Sequence, residues 1–288
     1  MNSITIPTRV RGGLEMESGI ASEELINEIE QSEINYMWDR MLAIQQKPGN
    51  PEAVELERIG EVACYFSAGM PWPSFNTIKG CRGADIDRIE DMMKFFTDRG
   101  GKPQFEIVPG MVDAPFLKRL SERGMYPSGH HTSMYYGIEP KAFEEKWVDD
   151  QRIRVAELQE DDFEMYATIH CKGTGLPDSG IPHVAMNNRI LYHRPGWKFY
   201  VAYVDQQPAA AGVMHMHNSI ASLTFAATLP EYRRLGLQSW LLKHRIAEAA
   251  KLGCRLAVSQ CAFLSPSHRN MERVGMKMGY VRTTWTSR

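Results

Sequence analysis

The sequence predicts an α/β protein of two tandem lobes, and three observations carry that prediction. At 288 residues the chain is long for one small domain and suits two of roughly 140 each. Runs with a helical period alternate with β-rich runs from end to end. The halves also repeat one another. A helix end, a glycine and a strand read DRGGKPQFEIVPGM and later KLGCRLAVSQCAF, followed by RLSERGMYP and NMERVGMKM. A nearly equal spacing separates Gly100 from Gly124 and Gly253 from Gly275, as a duplication leaves behind.

In the first lobe, residues 1–147, a helix is expected over 22–46. Leu25, Ile26, Ile29, Met37, Trp38, Met41 and Leu42 keep its period, and Ser22 is its N-cap. The Pro and Gly of QKPGNPEA end it. Strands follow at 62–67 and 75–78 around the turn MPWPS, then a helix over 86–97 stopped by Gly100 and Gly101. A strand (105–108), a helix (115–122) and a strand (132–138) complete the lobe, and the charged stretch EPKAFEEKWVDDQ reads as a linker. The second lobe, residues 148–288, opens with a strand at 153–158 and helices near 161–170 and 183–192. Strands at 198–204, 209–215 and 220–228 precede a helix over 237–252 that Gly253 ends. Leu237, Leu241, Leu242, Ile246, Ala249 and Ala250 form its apolar side. A strand (255–262), a short helix (267–274) and a strand (280–285) finish the chain.

Charge and targeting signals exclude several classes. Asp and Glu number 35 against 33 Lys and Arg, so no electrostatic nucleic-acid surface is expected. No run approaches the roughly 18 apolar residues of a membrane span. The start, MNSITIPTRVRGG, lacks the apolar core of a signal peptide, so a cytoplasmic setting without membrane partners is expected. Cys64, Cys81, Cys171, Cys254 and Cys261 are odd in number and never spaced CxxC, which predicts reduced thiols rather than disulfides or zinc.

The segment 223–253, LTFAATLPEYRRLGLQSWLLKHRIAEAAKLG, joins a strand to an amphipathic helix through a basic turn with one glycine. Free N–H groups in the turn and the positive end of the helix dipole suit a diphosphate. Gly236 lets the backbone approach it, and Arg233 and Arg234 add charge at the rim. Neither GxxxxGK[ST] nor a three-glycine dinucleotide fingerprint is present. An ordinary turn with solvent-facing arginines accounts for the same residues equally well.

A family resemblance separates these readings. Arg233-Arg234-Leu235-Gly236-Leu237-Gln238, preceded by Thr228-Leu229-Pro230-Glu231-Tyr232, resembles the acyl-CoA-binding signature of the GNAT acetyltransferase superfamily, Gln/Arg-x-x-Gly-x-Gly/Ala after a strand ending near a proline. Residues 265–276, SPSHRNMERVGM, resemble that family's final helix, and the likeness covers about 150–288 in element order. It implies lobes that are each a twisted, mainly antiparallel sheet flanked by helices, the second binding acetyl-CoA as acyl donor without a metal. Ala226, Ala227 and Thr228 would hold the pantetheine arm on a strand splayed from its neighbour. Arg233, Arg234, Leu235, Gly236, Leu237, Gln238 and Ser239 would hold the diphosphate, with Asn270 and Arg273 contributing from the last helix. The implied function is transfer of an acetyl group from CoA to the primary amine of a small molecule. A non-catalytic acyl-CoA-binding regulator and a malonyl-CoA decarboxylase-like relative are the alternatives.

Two positions depart from the family pattern. Gln238 stands where Gly or Ala is usual, so its side chain must turn away. Met271 stands where many relatives place a tyrosine that protonates the leaving thiolate, and methionine has no proton to give. In the first lobe the matching segment reads IKGCRGADID, and Asp85 and Asp87 would repel a diphosphate. This lobe is therefore expected to lack CoA and to wall off an acceptor site lying between the lobes. A fragment of residues 148–288, if folded, is expected to keep CoA binding but lose acceptor turnover.

The catalytic residues stay unassigned. The strand 220–227 contains no Asp or Glu, and His170, Asp178, His183, Tyr280 and residues of the first half are candidates whose plainer reading is packing or surface. His215 and His217 share a strand face, yet they lack a third ligand and are expected on a hairpin surface beyond reach of Ala226. His130 and His131 read as a turn pair. Tyr65, Phe66, Trp72 and Phe75 read as core, with the Pro-rich turn able to expose Trp72 to a cleft.

Overall fold

The computed structural model describes residues 22–70, 72–139 and 150–287; the start of the chain and residues 140–149 of the expected linker lie outside them. Ser22 caps α1 (Glu23–Gln45), its side chain accepting the Leu25 N–H at 3.1 Å. Then come β1 (Val54–Ile59), β2 (Val62–Ser67), β3 (Thr77–Lys79), α2 (Ile89–Thr97), β4 (Gln104–Ile107), α3 (Ala114–Glu122) and β5 (Met125–Gly137). The second half runs β6 (Ile153–Glu157), α4 (Phe163–Thr174), α5 (Ile181–Arg189), β7 (Trp197–Val204), β8 (Gln207–His217), β9 (Ile220–Thr228), α6 (Leu237–Lys251), β10 (Leu256–Ala262), α7 (Pro266–Arg273) and β11 (Lys277–Ser287). The strand that sequence reasoning missed is β1. Its VELERI buries only Val54, and it holds as an antiparallel edge on β2, from Val54 opposite Ser67 to Ile59 opposite Val62.

The duplication is visible in the topology, with one addition. Rather than two separate sheets there is one of 11 strands, in the order β1-β2-β3-β4-β11-β5-β10-β9-β8-β7-β6. Each half gives its last strand to the other. β11 pairs antiparallel with β4 over Thr283–Thr286 and with β5 from Lys277 to Ser287, while β5 pairs with β10 from Gly137 to His131. The order β4-β11-β5-β10 is thus symmetric about its centre. The parallel contacts, β3 with β4 and β9 with β10, fall at matching places on either side.

The helix α1 is not confined to the first lobe. Ile29, Ile34, Met41 and Ile44 are fully buried, each contributing about 1.5–3 kcal/mol of apolar burial. The Tyr65 hydroxyl donates to the Ile34 carbonyl in the first half. On the other side Ser32 meets the Ser222 hydroxyl, and Asp39 accepts from Arg194 and from Trp197 Nε1 at 2.7 Å. Tyr65 and Phe66 are core, while Trp72 is 44% exposed. All five cysteines are unpaired and buried. Among the described residues no helix is long and apolar enough to cross a membrane, and no group of three or more His, Cys, Asp and Glu is placed to hold a metal ion.

Candidate active site

The site begins where β9 leaves β10. The two pair only from Ile220 opposite Leu256 to Ser222 opposite Val258 and then separate. At the fork the Ser259 hydroxyl donates to the Leu223 carbonyl at 2.7 Å, satisfying an acceptor that the ladder no longer reaches. On the other edge of β9 the register with β8 slips. Ala211 faces Ala227 and Val213 faces Thr224, so Phe225 and Ala226 together oppose Gly212. Phe225 sits at φ +47°, a left-handed conformation uncommon for a bulky residue. Three neighbours fix it. The Tyr36 ring meets it edge-on at 5.8 Å, the Arg40 guanidinium lies 4.3 Å over its face, and the His170 ring approaches its backbone.

Behind the bulge lies Arg245 of α6, 1% exposed. It donates to the carbonyls of Leu241, Val213 and Thr224, at 3.0, 2.8 and 3.3 Å. A Cβ on Gly212 would stand 3.0 Å from the guanidinium carbon, so the glycine is what admits it. Burial pulls this guanidinium down to about 10. Sequence reasoning passed over it, although position 245 falls on the same helix face as Leu241, Leu242 and Ala249, where a charge is out of place.

A cavity of about 180 Å³ opens between the fork and the first half. Ala226, Gln238, Gln260 and Met271 line it from the second half, and Tyr36, Ser74 and Glu106 from the first. Its far wall is a buried square of charge: Glu33 of α1 and Glu106 of β4 each pair with Lys79 of β3 and Arg282 of β11. Burial opposes ionisation of Glu33, yet Arg282 and Lys79 hold its carboxyl down at about 2. This wall occupies the gap between β3 and β4, the counterpart of the β9–β10 fork. On α1, Glu30, Glu33, Met37 and Arg40 share the buried face that meets it.

At the start of α6 the backbone is left-handed twice, at Arg234 (φ +68°) and at Gly236 (φ +76°). Alternation of this kind turns successive N–H groups into a concave nest. A Cβ on Gly236 would meet no atom within 4 Å, so the space over the turn is open. Gln238 is drawn aside as expected: it donates to the Ser267 hydroxyl and accepts from Asn270 at 2.7 Å, and Arg273 donates to Asn270 at 2.8 Å. The fold thus links Gln238, Asn270 and Arg273. The matching turn of the first half is closed from within, because Asp85 accepts the Arg82 N–H at 2.9 Å and pairs with Arg88.

Of the acid–base candidates from the sequence, the four named ones do not line the main cavity, whereas Glu33, Tyr36 and Glu106 of the first half do. Asp178 is exposed, His183 stands 3.6 Å from Glu52, and Tyr280 is buried beside a smaller cavity behind the charged wall. His170 is half-buried and packs at the bulge. His215 corrects the surface expectation. β8 runs on to pair His215 with Trp197, against which its ring packs at 4.7 Å, leaving it 5% exposed; His217 is the exposed one. Burial pulls both His170 and His215 down to about 4. Unfolding therefore takes up protons between about pH 6.5 and 4, and stability is expected to be complete above that window and to fall through it as the pH drops. Urea midpoints measured from pH 7 to 4 read this directly, and a level midpoint would contradict it.

Residues 152–276 match the family model described as Acetyltransferase (GNAT) family. No curated protein matches the chain. Among solved structures, a GCN5-related N-acetyltransferase from Kribbella flavida is similar at 14% identity and TM-score 0.61, over 86% of this chain and 95% of that one. Another from Sphaerobacter thermophilus gives 11% and 0.59, over 92% and 90%. A tandem GNAT protein from the clavulanic acid biosynthesis pathway gives 14% and 0.59, over 93% and 96%. Likeness at such identities establishes shared fold, and the family match rests on the second half. Residues 152–276 are thus similar to the GNAT acetyltransferase family, and the whole chain shares the fold of a tandem GNAT protein.

Proposed function

We propose that the protein transfers an acetyl group from acetyl-CoA to the primary amine of a small molecule held between the lobes. The observation that carries this is the nearness of three features, the amide nest at Arg234–Gly236, the β9–β10 fork and a cavity walled by both halves that Ala226 and Gln238 line. They fit the donor: the nest and the α6 N-terminus suit a diphosphate, and the open edge of β9 at Ala226, Ala227 and Thr228 suits the amides of the pantetheine arm. Acyl-CoA supplies the activated carbonyl. A backbone N–H at the bulge donates to its oxygen, in a position that Tyr36, Arg40 and His170 hold rigid. The cleft walls bring the amine alongside, and no covalent enzyme intermediate is required. The first half binds no CoA in this reading, since its turn and its gap are filled by its own side chains. Five unpaired cysteines support a cytoplasmic setting.

Incubation with acetyl-CoA and a panel of small primary amines, with release of the CoA thiol as readout, tests the proposal. Amine-dependent thiol release is expected, with the acetylated amine seen by mass spectrometry. Thiol release equal with and without amines, across the panel, would overturn it.

A further inference from the structure

The charged wall of the cavity has one unused group. Both oxygens of Glu33 are taken by its cations, whereas on Glu106 Lys79 Nζ donates to Oε2 and Arg282 Nε lies 2.9 Å from the same oxygen. Among the described residues, the Lys79 hydrogen bond to Glu106 falls on Oε2, and Oε1 accepts none. The side chain is 9% exposed and lines the cavity. A carboxylate oxygen that opens to a ligand cavity and accepts from no protein donor is free to take one from the ligand.

We propose that the four-charge wall is the acceptor's amine subsite: Glu106 Oε1 accepts a hydrogen bond from a small primary amine, and Lys79 and Arg282 beside it favour the uncharged amine over its ammonium form. The inference rests on the acetyltransferase reading and adds where the amine binds and in which protonation state. The wall is already balanced, with two carboxylates against two cations. An ammonium would bring a third positive charge into a desolvated site, next to two that are fixed, and both effects lower the amine's pKa. The next groups outward do not reverse this. Glu30 is paired with Arg82, burial keeps Tyr36 and Tyr280 in their neutral forms, and burial with Arg282 pulls His131 down toward its neutral form. The ammonium proton leaves to solvent as the amine enters, so the bound amine carries the lone pair that attack on a thioester needs.

Propylamine titrated calorimetrically into the full chain, without acyl donor, is the test. Saturable binding is expected, with release of about one proton, read from buffers of different protonation enthalpy. Affinity should then rise about tenfold from pH 7.5 to 8.5. Glu106→Met/Lys79→Met removes one acid and one base together, a charge-neutral replacement that buried ion pairs commonly tolerate. It is expected to weaken binding at least about tenfold, or 1.4 kcal/mol, with circular dichroism unchanged. Binding without proton release, binding unaffected in the folded double variant, or no saturable binding to the unmodified chain would each overturn the proposal. The unmodified protein's proton linkage needs no variant and decides the matter if the double variant fails to fold. Because no acyl donor is present, failure here leaves the thiol-release assay to judge the acetyltransferase reading on its own.

Discussion

Residues 148–288 produced alone are expected to show no cooperative unfolding transition. Cutting there removes β5 from between β10 and β11, and β4 from the far side of β11. The last strand then has no partner, and β10 loses its whole antiparallel edge from Leu256 to Ala262. The cut also removes Met134 and Ile138 from the core under α6, and α1 with Tyr36, Met37 and Met41 from the core between the lobes. At about 1.5–3 kcal/mol per buried apolar side chain, these losses reach the whole stability of an ordinary domain, about 5–15 kcal/mol. Urea titration followed by circular dichroism reads the result. Supplying residues 1–147 as a second polypeptide should restore a transition, because the exchanged strands need not be covalently joined. A two-state transition in the isolated second half would show that β11 finds another place in it.

Gly236→Val is expected to lower CoA affinity at least about tenfold, roughly 1.4 kcal/mol, while the protein stays folded. The glycine sits at φ +76°, where a β-branched residue is strained by about 1–3 kcal/mol. No atom of the protein blocks a side chain there, so the valine would stand in the open space over the nest, where the diphosphate is proposed to bind. Residues 233–236 are exposed, and the core does not depend on them. Arg234→Ala should weaken binding less and make it less sensitive to salt, since it removes charge but keeps the amides. Calorimetric titration of CoA into both variants measures this. Unchanged affinity in a folded Gly236→Val protein would place the diphosphate elsewhere.

Local signals were legible in the sequence because local chemistry makes them. Ser22 caps α1 because its hydroxyl meets an amide three residues away, and Gly236 and Gly253 mark the two ends of α6 because both adopt positive φ. The turn at Asn218 and Ser219, left-handed at both residues, is of the same kind. The duplicated order of helix, glycine and strand was likewise in the text of the chain, and with it the element carrying the signature. Other features exist only through partners distant in sequence. β1 reads as charged loop until β2 pairs with it. Strand exchange leaves no periodicity, since β11 has the same residues whichever lobe it joins. The charged wall joins Glu33, Lys79, Glu106 and Arg282, each of which alone reads as a solvated surface charge. Arg245 became a support of the bulge only because Gly212 lies across from it. Sequence by itself determined the element types other than β1, the repeated helix–glycine–strand order and the α6 turn, because these rest on signals within a few residues. Tertiary structure alone decided which lobe owns the last strand, which charges face each other and where the cavity lies, because those depend on how distant segments share one sheet.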